Sequence, residues 1–542
     1  KPPAPRPARR PPPGRPSPAT RTRQGFNRRQ LIDFYSSRPQ MVAARLARIT
    51  RSINSLQRMW DSQESWPAEK RTRGELLSKE LTALGPCFVK IGQTLSQRPD
   101  VIGEEACEEL KNLQTSNEPF PDDIAWVIMA TDLNHTGPIA PGIVPDGNDK
   151  NGEPLFAWIS PNPIAAASLG QVYKARTHEG RELAIKVQRP EGVKTISLDW
   201  TCLALALDAL TRLWRYTRPS GFNNDLGEIA DEIATGIFQE LDYFQEARNA
   251  AKFKDSLNFL GYVDTPLWVP ELTGRSILTT EWVQGRHLRD LNEDEGLRMT
   301  TMAVEACTAS LVLTGYVHAD PHEGNIMLGD DGRLVFLDFG LMSTVEDNIM
   351  ESFATGIQAC LAEDYTTLAE VFQAVGFIDN PLQYRDDESQ KFRTKGDIAG
   401  LTDVKLEEVK PLFAKLLKEK MESCEDGTSR FGALATVLSG LGKQWRMYTP
   451  PYILLLIRTF LTLEGIAAKV DPEFNIYEVS MPWAIKRSLS PGSPSGKEVL
   501  RSTLLTDDNK LQLERLQKLI LDAANDAAKD SAKDDDAGAA AA

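Results

Sequence analysis

The chain has 542 residues, 41% of them apolar, so it can bury a large core and is long enough for an enlarged domain or several domains. A net charge of −14 argues against a general nucleic-acid coat. The six cysteines form no CxxC pair, which disfavours a zinc site or disulfide framework, and no apolar run is long enough to cross a bilayer.

Residues 1–30 stand apart: nine prolines fall in the first twenty positions, nine lysines or arginines in all thirty, and no acid precedes Asp33. Such a leader reads either as part of an organelle-targeting segment or as a disordered basic arm. Residues 31–136 read as a helical extension. Leu31, Phe34, Tyr35, Val42, Leu46, Ile49 and Ile53 recur at helical spacing, and Arg38, Arg45, Arg48 and Arg51 give it a basic side. That side can pack on the domain or lie on an anionic membrane. Further helices over 73–130 break at Gly85-Pro86 and Arg98-Pro99.

A Gly-, Pro- and Asp-rich loop over 137–154 leads into three short strands, Phe156 to Ser160, Ser168 to Ala175 and Glu182 to Gln188. Helices follow over 192–214 and 223–257, then a strand from Ile277 to Trp282, and a helix over 293–314. Residues 342–475 are expected to be mostly helical, with a loop near 388–402 and a last amphipathic helix over 508–528. The final stretch, Ala523 to Ala542, is low in complexity and reads as a frayed helix or disorder. The order predicts an α+β, bilobal protein-kinase-like fold: an N-lobe over 137–285 with inserted helices, a helical C-lobe over 286–490, and a C-terminal helix and tail over 491–542.

Chemistry concentrates at 318–340. Asp320 lies five residues before Asn325, and Asp338, within Asp338-Phe339-Gly340, lies thirteen after it. Two carboxylates and an amide at this spacing suit a phosphate–metal site: Asp320 as catalytic carboxylate for a hydroxyl or water, Asn325 and Asp338 as Mg²⁺ ligands. His318 is expected to order the loop, and His322 stands where protein kinases usually carry a lysine. Lys186 interrupts an apolar strand, and a half-buried ammonium there needs an anionic partner such as the α- and β-phosphates of ATP or ADP. Its expected carboxylate partner is Glu240, with Glu246 in reserve. Ala165, Ala166, Ala167, Ser168 and Val172 occupy the phosphate-covering position, with alanine largely replacing the glycine that close backbone approach favours. Glu281 to Val283 is the expected hinge beside the adenine edge.

Together these motifs resemble the UbiB/AarF family of atypical kinase-like proteins, with a plastid-type leader. Lys90-Ile91-Gly92-Gln93 matches the family's KxGQ signature, Ala165 to Ser168 its Ala-rich loop, and Glu240-Leu241-Asp242 its ExD helix. On its own the Lys90 stretch reads as helix packing. The resemblance implies that Lys90 and Gln93 lie near the nucleotide and meet the ExD region, over the site that a protein substrate would occupy. It also implies Mg²⁺–ATP or ADP binding, ATPase or small-molecule kinase activity, and a prenylquinone or other isoprenoid-lipid partner. The implied place is a chloroplast, at plastoglobules or the thylakoid surface, with a mitochondrion as the alternative. The competing functional readings are a protein serine/threonine kinase and a nucleotide-gated lipid-binding scaffold with little turnover. Glu323 departs from the family's frequent proline, and no Ala-Pro-Glu follows Asp338-Phe339-Gly340.

Overall fold

The computed structural model describes residues 28–61, 73–95, 119–166, 169–190, 192–217, 234–376, 406–422, 451–471 and 474–504, with isolated positions at 110, 384–385, 392–393, 434 and 437. The basic leader up to residue 27, the Arg98-Pro99 break, the 388–402 loop apart from 392–393, and the terminal helix over 508–528 lie outside them, whereas the leader's last three residues, 28–30, are helical.

The first lobe is a twisted antiparallel sheet. Strands β1 (Trp158–Ile159), β3 (Gly170–Arg176), β4 (Glu182–Gln188) and β6 (Ile277–Glu281) follow the order β1-β3-β4-β6, and the short β2 (Ala165–Ala166) pairs with β3. Side chains alternate across β4. Leu183, Ile185 and Val187 are fully buried and pack in one cluster with Trp126 and Met129, which lie on the helix Asp122–Asp132. Lys186 therefore faces the opposite side, in register with Val172 on β3 and Leu278 on β6. There the sheet meets the helix Tyr243–Ser256, whose Tyr243 and Ala247 pack with Leu278.

The helical extension is built into this lobe. Helices Arg28–Ser36, Pro39–Asp61, Arg73–Leu84 and Pro86–Leu95 pack against Gly192–Thr217 and the helical stretch 234–240 through Leu31, Tyr35, Phe88, Trp200, Phe238 and their neighbours. Arg45 leaves the expected basic side and turns inward. It forms a two-pronged ion pair with the fully buried Asp199, with Nη2 2.8 Å from Oδ2. Burial pushes the Asp199 carboxyl up and Arg45 pulls it back. Arg38, Arg48 and Arg51 remain exposed.

The second lobe is mainly helical. The helix Glu293–Ala309 starts with a capping box between Asn292 and Glu295 and widens into a π-turn, Ser310–Thr314. The turn closes at Gly315 with φ of 64°, where a Cβ would lie 2.5 Å from the Val345 carbonyl oxygen. A four-stranded sheet, β5-β10-β9-β7 (Val263–Asp264, Leu334–Phe336, Ile326–Gly329, Gly285–Arg286), and the pair β8 (Tyr316–His318) and β11 (Met342–Thr344) carry the loops of interest. Helices Asp347–Leu361, Tyr365–Ala374, Leu406–Glu422, Pro451–Val470 and Ile476–Leu489 close the core around them.

Candidate functional site

The two lobes meet at Lys186. Its Nζ lies 2.7 Å from Glu246 Oε1 and 2.8 Å from Asp338 Oδ2, and 5.4 Å from the Tyr243 ring centre. Glu246 is the deep member, with its side chain 4% exposed against 40% for Asp338. Burial pushes Glu246 up to about 7, against the pull of Lys186. Burial opposes ionisation of Asp338 too, but the Lys186 ammonium and the Gly340 N–H hold that carboxyl well below the usual range. Lys186 also loses hydration, yet the two carboxylates keep it charged well above its ordinary midpoint.

The expected Lys186–Glu240 pair does not form. The sequence reads as one helix over 223–257, but the chain turns at Leu241-Asp242, where the Asp242 side chain accepts from the Gln245 N–H and starts a new helix. Glu240 ends the preceding stretch and Glu246 sits in the first turn of the next, so the two acids serve different partners. Glu240 Oε2 instead lies 2.5 Å from Lys90 Nζ. Its Cγ would be 3.3 Å from a Cβ placed on Gly340. The Lys90 helix is therefore anchored beside the Asp338-Phe339-Gly340 turn. Gln93, three residues on and half-buried, lies on the same helix.

His318 ties the two halves of the loop together. Its Nε2 donates to the Asp338 carbonyl at 2.6 Å while Nδ1 accepts from the Asp320 N–H at 3.2 Å. That pattern requires the neutral ring, and burial drives the imidazole pKa down accordingly. Phe253 and His318 pack on Phe339 at 5.6 and 5.4 Å between ring centres. Asn325 Nδ2 donates to the Asp320 carbonyl at 3.1 Å, which turns its Oδ1 away from that contact. His322 caps the short 3₁₀ turn Glu323–Asn325 by accepting from the Gly324 N–H.

On the sheet side, Ala165 and Ala166 pair with Val172 and Gln171, so the alanine segment folds back over β3. Ala167 and Ser168 lie outside the described residues. Glu281 ends β6 with its side chain in an exposed ion pair to Arg181. After it, the backbone N–H and C=O of Val283 have no hydrogen-bond partner among the described residues.

Several positioning residues went unassigned in the sequence. Asn249 donates to the Phe339 carbonyl at 3.0 Å and accepts from Tyr316 and Gln245. Thr459 donates to the His318 carbonyl, His287 Nδ1 reaches the Ile326 carbonyl at 3.1 Å, and Lys469 pairs with Glu323. An asparagine inside a helical run is a poor helix former, and that mismatch is a local signal for Asn249.

The lysine–carboxylate bridge between a β-lobe and a helical lobe defines a kinase-like enzyme. Residues 143–372 match the ABC1 atypical kinase-like domain and residues 429–475 the UbiB helical domain. The chain belongs to this ABC1/UbiB family of atypical kinase-like proteins. It is 30% identical over 514 residues to the Synechocystis sp. protein slr1919, covering 92% of this chain and 82% of that protein. It is 31% identical over 459 residues to the chloroplastic Protein Activity of bc1 Complex Kinase 3 of Arabidopsis thaliana, covering 83% of this chain but only 58% of that one. Among solved structures it is similar to the Mycobacterium tuberculosis protein of the Rv3197–erythromycin complex. That match has 22% identity and a TM-score of 0.43, over 74% of this chain and 91% of that one.

Proposed function

We propose that the chain is a Mg²⁺–ATP-dependent phosphoryl-transfer enzyme, acting as an ATPase or as a kinase for a small or lipid acceptor. The observation that carries this reading is the single point at which Lys186 meets both Glu246 and Asp338. An ammonium held between two carboxylates is poised to exchange one of them for phosphate oxygens while the other keeps it oriented.

The residues fit a divalent cation. Asn325 Oδ1 has no hydrogen-bond partner among the described residues, and the half-exposed Asp338 carboxylate keeps acceptor capacity beyond its bonds to Lys186 and Gly340. When bound, the metal neutralises phosphate charge. Glu246 orients Lys186 on the α- and β-phosphates, and Asp320 positions the attacking hydroxyl or water. Val283 offers backbone groups to the adenine edge, and Ala165 and Ala166 cover the phosphates. The Lys90–Glu240 pair beside Gly340 holds a helix where an extended peptide would otherwise dock, which favours a small acceptor over a protein one.

The family resemblance supports an isoprenoid-lipid acceptor such as a prenylquinone precursor, and the chloroplastic relatives support a plastid, at plastoglobules or the thylakoid surface. Phosphate release from Mg²⁺–ATP by the purified chain tests the chemistry. Asp338→Asn and Asp320→Asn are each expected to lower it on the order of 100-fold or more. Unchanged release in both would refute the enzyme.

A further inference from the structure

The helical lobe contains a cavity of about 100 Å³ away from the Lys186 site. Its wall is drawn from the π-turn (Leu311) and from Phe353, Gly356 and Cys360 on the helix Asp347–Leu361. Phe460, Tyr477 and Ser480 on the two C-terminal core helices complete it, with other apolar side chains between them. Leu311, Phe460 and Ser480 are buried, whereas Phe353 and Cys360 are only half-buried, so the wall thins on the side of the helix Asp347–Leu361. The Ser480 hydroxyl is already engaged by Thr308 Oγ1 at 2.9 Å.

Protein interiors rarely leave voids larger than a water molecule. A water needs two to four polar partners, and the side-chain oxygens on this wall are those of Tyr477 and of Ser480, the latter already held by Thr308. An apolar cavity of roughly 150 Å³ stays dry and admits benzene-sized guests, so this slightly smaller one suits the end of a hydrocarbon chain. Gly356 keeps the space open on one side, and its own environment is tight, since a Cβ there would lie 3.3 Å from Val371 Cγ1.

We infer that this cavity is a second ligand site, which takes the apolar terminus of a chain-like lipid or alcohol of which only the end is buried. A hydroxyl at the buried end would lose its hydration against a largely hydrocarbon wall, so the site should favour an apolar terminus. The site is separate from the nucleotide chemistry, and binding is measured without nucleotide, so failure of the enzyme reading leaves it untouched.

The test is calorimetric binding of 1-decanol, geraniol and 1,10-decanediol to the full chain. It is paired with the rate of Cys360 alkylation by N-ethylmaleimide, read by peptide mass spectrometry. Saturable binding of 1-decanol or geraniol is expected, the preferred one distinguishing a linear from a branched chain. The diol should bind at least about tenfold more weakly. Cys360 alkylation should slow severalfold in the presence of the tighter ligand. Cys360→Phe, which fills the cavity from its half-buried wall, should abolish binding. Val371→Phe fills it from the helix Tyr365–Ala374 and serves if the first variant does not fold. Absence of saturable binding with unchanged alkylation would mean that the chain's own residues fill the space, and would overturn the inference. So would equal affinity for the diol, or binding that survives both filling variants.

Discussion

Glu246→Gln isolates the electrostatic strain at the centre of the site. The substitution keeps the shape of a side chain that is 4% exposed and removes its charge, leaving Lys186 with Asp338. Burial raises the Glu246 midpoint from its ordinary 4.5 to about 7. Below pH 4.5 the group is protonated in folded and unfolded chains alike, and its contribution to stability is fully present. As pH rises, the unfolded chain gives up the proton first, so that contribution falls away until the folded midpoint is passed. A displacement of this size is worth roughly 3 kcal/mol, of which about 2 kcal/mol falls between pH 5 and 8. Asp338 is held below the usual carboxylate range and does not titrate in that window. The His318 contribution, lost as pH falls, is present in both proteins and cancels in their difference. Native-state hydrogen exchange of amides in β4 and in the helix Tyr243–Ser256 reads the local opening free energy. Relative to Glu246→Gln, the wild-type value is expected to drop by about 2 kcal/mol from pH 5 to pH 8. A difference that stays flat over this range would refute the reasoning, because Glu246 would then ionise like a solvent-exposed carboxyl.

Asn249→Ala strips the Phe339 carbonyl and the Tyr316 hydroxyl of a buried partner, and should destabilise the chain by about 1–3 kcal/mol. It should also lower the rate of phosphate release more than it raises the KM for ATP; wild-type thermal stability in the variant would contradict this. Gly170→Ala places a Cβ 2.7 Å from the Val187 carbonyl oxygen and 2.8 Å from the Tyr243 hydroxyl, both fixed by the sheet and the packed helix above it. A loss of about 1–3 kcal/mol is expected by urea titration, and a neutral result would mean that the β3–β4 contact relaxes freely. The Lys90–Glu240 pair, 18–19% exposed and 2.5 Å apart, should show a coupling of about 1 kcal/mol in a double-mutant cycle of Lys90→Met and Glu240→Gln. Additive effects would indicate that the two charges do not sense each other.

The parts of this site written in local pattern were legible in the sequence. Alternating apolar residues marked β4 and left Lys186 on the face opposite Leu183, Ile185 and Val187, and the spacing of Asp320, Asn325 and Asp338 marked one loop and the turn that follows it. Partner choice was not legible in the same way. Glu240, Asp242 and Glu246 all lie within one run of helix-forming residues, and helical spacing alone ranks none of them as the partner of Lys186. The deciding signal is Asp242 three residues before Gln245, a helix-start pattern that breaks the run and turns the chain. Read as a cap, Asp242 separates Glu240 from Glu246 and gives the two acids distinct roles. Glu240 fastens the Lys90 helix against Gly340, and Glu246 pairs with Lys186. The π-turn at Ser310–Thr314 has no comparable signature in its own residues; what the local geometry demands is the glycine that closes it, Gly315, with its positive φ and close approach to Val345. A cap and a glycine thus decide the two features that apolar periodicity leaves undetermined: Asp242 decides which acid meets Lys186, and Gly315 lets the chain enter β8 to deliver His318 between Asp320 and Asp338.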